Sequence, residues 1–177
     1  MVGIDLISPA IVAAAIAALV TVAGWFIAYG RDRRLDAVKR QEKVRDTMTA
    51  LRAEIRCHRR QWTEGEAGNH KAAMVEAIRT VPGYTPFVPR GPENVVFSAM
   101  LSEIHVLPAE AIEPVVRFYW QAQSIAQLVE DLRSEGFRAL DAERKAALYS
   151  DYIDLQVEAE KLAVGAVEAL NAWRGEP

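Results

Sequence analysis

The chain has 177 residues, 51% of them apolar and 25% charged, with a formal net charge of −3. That is enough for about one domain, and the composition excludes collagen-like and wholly disordered classes. A single cysteine, Cys57, excludes an internal disulfide framework and a four-thiolate zinc site. The small net charge hides an asymmetry: residues 31–60 carry eleven Lys/Arg against five Asp/Glu, whereas residues 61–177 carry ten against eighteen.

The first element is a charge-free run, residues 6–30 (LISPAIVAAAIAALVTVAGWFIAYG). A bilayer span needs about 20 apolar residues. As a helix, Pro9 to Tyr29 would cover roughly 31 Å, close to the thickness of the hydrocarbon core. Ser8 and Pro9 suit a cap and a first helical turn. Trp25 and Tyr29 fall toward the far end, where interfacial aromatics belong. A cleaved signal peptide would carry a positive leader and a shorter apolar core, and MVGIDL has neither Lys nor Arg. An interfacial amphipathic helix would need a charged face. The run therefore predicts a transmembrane helix, with residues 1–30 as an N-terminal membrane anchor. Ala10, Ala14, Ala17, Thr21, Gly24 and Ala28 form a small-residue stripe spaced 4-3-4-3-4. Such a stripe lets two membrane helices approach and predicts self-association into a homo-oligomer.

Seven basic residues follow directly in RDRRLDAVKRQEKVR. Positive flanks stay in the cytoplasm, which puts the N-terminus outside and the bulk of the chain inside a bacterial inner membrane. Arg31, Arg33, Arg34, Lys39 and Arg40 are expected to contact anionic lipid headgroups, at about 1 kcal/mol each. Nucleic acid is not the expected partner: Asp32, Asp36, Glu42 and Asp46 interrupt the basic run, and no stacking or base-reading motif follows. Residues 31–62 predict one basic juxtamembrane helix, uninterrupted by Gly or Pro. Val44, Met48, Leu51, Ile55, His58 and Trp62 form its apolar face.

Residues 63–177 predict a cytoplasmic helical domain. Residues 63–71 read as a polar loop, and residues 71–80 as a short helix with Met74, Val75 and Ile78 inward. Four of the eight prolines fall within 82–92, making residues 81–92 an irregular connector packed by Tyr84 and Phe87. Residues 93–106 predict a helix facing the core with Val96, Phe97, Met100, Leu101 and Ile104. Leu107-Pro108 ends it and starts a helix over 109–134, buried along Ile112, Val115, Tyr119, Ala122, Ile125, Val129 and Leu132, with Gly136 as its stop. Asp141 caps a last helix to about Trp173, whose face runs Tyr149, Tyr152, Gln156, Ala159, Ala163, Ala166, Leu170 and Trp173. With no alternating β-branched run, the expected fold is all-α: a transmembrane helix followed by an irregular antiparallel bundle.

No Walker loop, Rossmann fingerprint, nucleophile elbow or HExxH pair is present. Cys57 and His58 are adjacent and point about 100° apart on a helix, so a metal site would need Glu54 or His105 brought to them. Glu110 and Glu113 share a helix face, as solvated helices routinely allow. No catalytic, cofactor-binding or metal residue is expected. Tyr119, Trp120, Tyr149 and Tyr152 are the side chains that would line a core pocket.

Phe97, Ile104, Leu107-Pro108, Ile112, Val115 and Phe118-Tyr119 resemble a pattern in uncharacterised bacterial single-span membrane-anchored helical proteins, some of them carried by prophages. The likeness covers about 25 residues and the overall layout. It implies an anchored helical domain and transfers no activity. The expectation is a non-enzymatic, membrane-anchored interaction or scaffold module that docks a protein partner. The alternatives are a phage-type lysis or envelope factor (a holin accessory or inner-membrane spanin-like protein) and a helical ligand sensor or small enzyme.

Overall fold

The computed structural model describes residues 9–59 and 64–173. Among them every regular element is a helix: α1 (Pro9–His58), α2 (Glu64–Thr80), α3 (Val95–Met100), a 3-10 helix (Leu101–Val106), α4 (Ala109–Arg133), α5 (Glu135–Ala139) and α6 (Ala142–Ala172). The chain divides into two units, one up to Lys43 and one from Val44 onward.

In the first unit every described side chain is exposed. Alanines and the absence of proline after Pro9 favour the helix through intrinsic propensity. The Thr21 hydroxyl donates back to the Ala17 carbonyl at 2.8 Å, so it satisfies itself within the helix. Among the described residues no helix is long and apolar enough to cross a membrane. The charge-free run also contains residues 6–12, 14, 15 and 27, whose side chains lie outside the described residues.

The second unit is a helical bundle with two core clusters. The first joins Val44, Met48, Leu51 and Ile55 of α1 to Ala111, Val115, Phe118 and Tyr119 of α4 and to Ala163, Ala166 and Leu170 of α6. This is the apolar face predicted for residues 44–55, and Leu51 and Ile55 are fully buried. Trp62, the last member of that face, lies outside the described residues. The second cluster joins Ala67 and Ile78 of α2 to Ile125, Val129 and Leu132 of α4, Phe137 of α5, and Tyr149, Tyr152 and Ile153 of α6. α4 and α6 thus run through both clusters. Small side chains at 163 and 166 let α6 pack closely at the first, and tyrosines fill the second.

Four expectations are corrected. Residues 64–71 are not a loop but the start of α2. Ala67 is buried there, and Lys71 pairs with Asp154 of α6 at 2.7 Å, so tertiary packing overrides the propensity cost of Gly65 and Gly68. The helix expected over 93–106 breaks at Met100, and non-helical φ/ψ at Glu103 interrupts the 3-10 helix that follows. Leu101 consequently faces out, 52% exposed. In the connector Val88 is buried and Phe87 is 83% exposed, the reverse of the packing expected for Phe87. Arg133 fixes this register by donating to the Val88 carbonyl at 2.8 Å. Finally, α4 stops at Arg133 rather than at Gly136. Ser134 turns to extended backbone and its hydroxyl accepts from the Phe137 amide at 3.1 Å, which starts α5 around Gly136. A glycine in the left-handed region does occur at Gly83 (φ +76°), in the turn that leaves α2.

Pro114 lies inside α4. The Asp141 carboxylate accepts from the Arg144 amide at 2.8 Å and caps α6.

Candidate functional site

Polar side chains converge at one place in the second unit, and a capping problem puts them there. The first amides of a helix have no partner within it. α3 has Asn94 at its N-cap, a favoured residue type, yet the Asn94 side chain makes no cap hydrogen bond. Glu54 of α1 takes that role from across the bundle, accepting from the amides of Val96 at 2.6 Å and Phe97 at 3.0 Å. The Tyr119 hydroxyl donates to the same carboxylate at 2.6 Å. Burial, reinforced by the Glu54 carboxylate, pushes the Tyr119 phenol well above its ordinary range and keeps it a donor. Phe97 stacks flat on the Tyr119 ring, with centroids 3.9 Å apart. The carboxylate thereby welds α1, α3 and α4 together, and the Asn94 amide is released from capping.

One turn further along α1, a cavity of about 490 Å³ opens between the end of α1, the connector, α4 and α6. His58, Arg59, Asn94 and Glu160 line it, beside Phe118, Ile125, Val129 and Ala159. His58 sits edge-on to Phe118 and Tyr119. Burial holds its imidazole below the ordinary pKa, against the pull of Glu54, so the ring is neutral at pH 7. Arg59 Nε donates to Glu160 Oε1 at 2.7 Å. At the rim Arg90 grips both oxygens of Glu130, at 2.7 and 3.0 Å, and ties the connector to α4. That grip holds the Glu130 carboxyl below its usual range. Among the described residues, three buried side-chain atoms have no hydrogen-bond partner: His58 Nε2, Asn94 Oδ1 and Glu160 Oε2. All three belong to residues that line this cavity.

A second, apolar groove of about 830 Å³ lies over α3, α4 and α6, lined by Phe97, Leu101, Trp120 and Leu155 among others. Trp120 is 75% exposed beside it. The four aromatics expected to share one pocket are therefore separated. Tyr119 and Trp120 line the groove and Tyr152 lines the polar cavity, while Tyr149 is core, within 3.1 Å of His70 Nε2.

The predicted headgroup contacts and interfacial aromatics are on α1 and exposed. Arg31, Arg33, Arg34, Lys39 and Arg40 face solvent, and the Arg33 guanidinium lies over the Tyr29 ring at 5.0 Å. Trp25 is 80% exposed. Of the small-residue stripe, Ala17, Thr21, Gly24 and Ala28 are exposed, and the side chains of Ala10 and Ala14 lie outside the described residues. Asn94 and Glu160 are site residues that sequence reasoning does not single out, and it names Glu54 only as a conceivable metal ligand, not as a cap. A signal existed for one: Glu54 lies three residues past Leu51 and four before His58, on the edge of an apolar stripe. Among the described residues no group of three or more His, Cys, Asp and Glu side chains could hold a metal ion. Cys57 is exposed.

No protein-family description, curated protein or solved structure matches this chain.

Proposed function

We propose that this protein is a single-span, membrane-anchored helical interaction module, with the bundle on the cytoplasmic side. One observation carries the reading: a charge-free run over residues 6–30 is followed at once by seven basic residues within 31–45. Lipid is the solvent that such a run suits, and arginines resist translocation. The reading rests on the whole run, because the described side chains alone do not amount to a span. It is supported by the exposure of Leu19, Val20, Trp25 and Phe26, each more than half exposed on α1. Water would penalise that surface at roughly 25 cal/mol per Å², whereas acyl chains would not.

Arg31, Arg33, Arg34, Lys39 and Arg40 hold the collar at anionic headgroups. Gly24, whose missing side chain leaves open space around its backbone, offers the stripe Ala17–Thr21–Gly24–Ala28 a close approach to a second copy. The bundle presents the apolar groove beside Trp120 to a protein partner. A reporter fused after Trp173 tests the orientation. Cytoplasmic fluorescence without alkaline-phosphatase activity is expected, and phosphatase activity from that fusion overturns the topology.

A further inference from the structure

We infer that the apolar groove over α3, α4 and α6 docks a basic amphipathic helix of a protein partner. The inference rests on the reading of this groove as a protein-docking face and adds the chemistry of the partner.

Shape and backbone chemistry select a helix. Along α4 the groove is lined by Val116, Trp120, Ser124, Gln127 and Asp131, one stripe spaced 4-4-3-4. At 1.5 Å per residue that stripe is roughly 22 Å long, the length of a helix of about 15 residues. Leu148, Asp151 and Leu155 add a second stripe from α6, and Phe97 and Leu101 line the groove from α3. An extended peptide would need an open sheet edge for its amides, and every regular element among the described residues is a helix. A docking helix satisfies its own backbone and asks only for an apolar floor. That floor is open to solvent: Trp120 is 75% exposed and Leu101 52%. Covering them with a partner's aliphatic side chains removes apolar surface from water, and a tryptophan is the side chain best suited to anchor such a contact.

Charge selects the kind of helix. Among the described residues the lining holds two carboxylates, Asp131 and Asp151, and no Lys, Arg or His. Neither carboxylate is in an ion pair with a described residue, whereas Glu130 and Glu160 elsewhere on the bundle are held by Arg90 and Arg59. Arg133, two residues past Asp131, donates to the Val88 carbonyl instead. α4 ends at Arg133, so the negative end of its dipole adds to the field at Asp131. An acidic helix would be repelled there, while Lys or Arg flanking an apolar stripe would meet both aspartates. The same two charges repel anionic lipid headgroups, which favours a protein over a bilayer as the cover for Trp120.

The test places the full chain in phosphatidylcholine nanodiscs, with empty nanodiscs as the blank. Three fluorescent helical peptides of about 15 residues share one Leu/Phe stripe and carry Lys, Gln or Glu on its flanks. Anisotropy titrations measure each at low salt. The Lys peptide should bind about tenfold more tightly than the Glu peptide, with the Gln peptide between them, and the gap should narrow as salt rises. Trp120→Ala should weaken the Lys peptide about thirtyfold, as loss of a central aromatic anchor does. Asp131→Lys combined with Asp151→Lys should reverse the order of the Lys and Glu peptides. All three positions are exposed, and circular dichroism melting establishes that each variant is folded. Should a variant fail to fold, the ranking of the three peptides on the unaltered chain still decides. Equal binding of the three peptides, or an order unchanged by the double substitution, overturns the basic partner; the docking face itself stands if Trp120→Ala still weakens them. Binding of none, or binding that Trp120→Ala leaves unchanged, overturns the proposal and the docking reading together, and a bilayer covering this face would give the second of these results.

Discussion

Leucine occupies opposite environments in the two units. Leu51 is fully buried against α4 and α6, while Leu19, on the same helix, is 69% exposed. Isoleucine and the aromatics divide in the same way, with Ile55 and Tyr119 buried and Ile16, Trp25 and Phe26 exposed. Hydrophobicity therefore does not by itself decide burial in this molecule. What decides it is whether a complementary surface faces the residue. Residues 44–58 alternate apolar and polar faces and find α4 and α6, whereas residues 16–29 are apolar all round. A helix that is apolar on every side asks for a solvent that is apolar on every side.

The sharpest way to probe that contrast is to make one substitution in both units. Leu51→Ala should destabilise the second unit by about 2–5 kcal/mol, because it opens a cavity among side chains that cannot collapse onto it. Leu19→Ala should leave the unfolding midpoint of the bundle unchanged. Denaturant melts of the two variants, followed by circular dichroism, check both halves. A large effect from Leu19→Ala would place that residue in the core and erase the distinction.

The next effect is polar. Glu54→Ala strips the acceptor from two amides of α3 and from the Tyr119 hydroxyl, and should cost about 3 kcal/mol. Tyr119→Phe removes only one donor and should cost about 1 kcal/mol. If Glu54→Ala proved no worse than Tyr119→Phe, the carboxylate would not be the cap of α3.

Smallest is the pH response of His58. Burial lowers its folded pKa, so the unfolded chain binds the proton more readily. Stability is therefore present above the ordinary imidazole range and declines as pH falls through it. His58→Gln should flatten that decline between about pH 7 and pH 5. A steeper decline in the variant would reverse the sign and show that the folded state favours the charged ring.

The regularities visible in the sequence are those that one periodic face can carry. Val44, Met48, Leu51 and Ile55 fall on a single stripe and are buried together, as are Val115, Tyr119, Ile125, Val129 and Leu132 of α4. Asp141 was legible for a similar reason, because a cap needs only its own helix. The elements missed depend on partners distant in sequence. The first turns of α2 carry two glycines and few apolar residues, and they become helical because Ala67 and Lys71 meet α6. The extended connector turns Val88 inward and Phe87 outward because Arg133, 45 residues away, holds the Val88 carbonyl. The cavity was hidden in the same way. Its residues come from four helices and a connector, and Asn94 makes no cap because Glu54, about 40 residues away, caps α3 instead.

The account stands most directly on where the uncharged run of residues 6–30 resides in the cell. Membranes from cells expressing the intact chain can be washed with alkaline carbonate and floated on a density gradient. The chain is expected to stay with the lipid through the wash and to leave it only on addition of detergent. Release by carbonate alone, or purification of the intact chain as a monomer without detergent, would contradict the account.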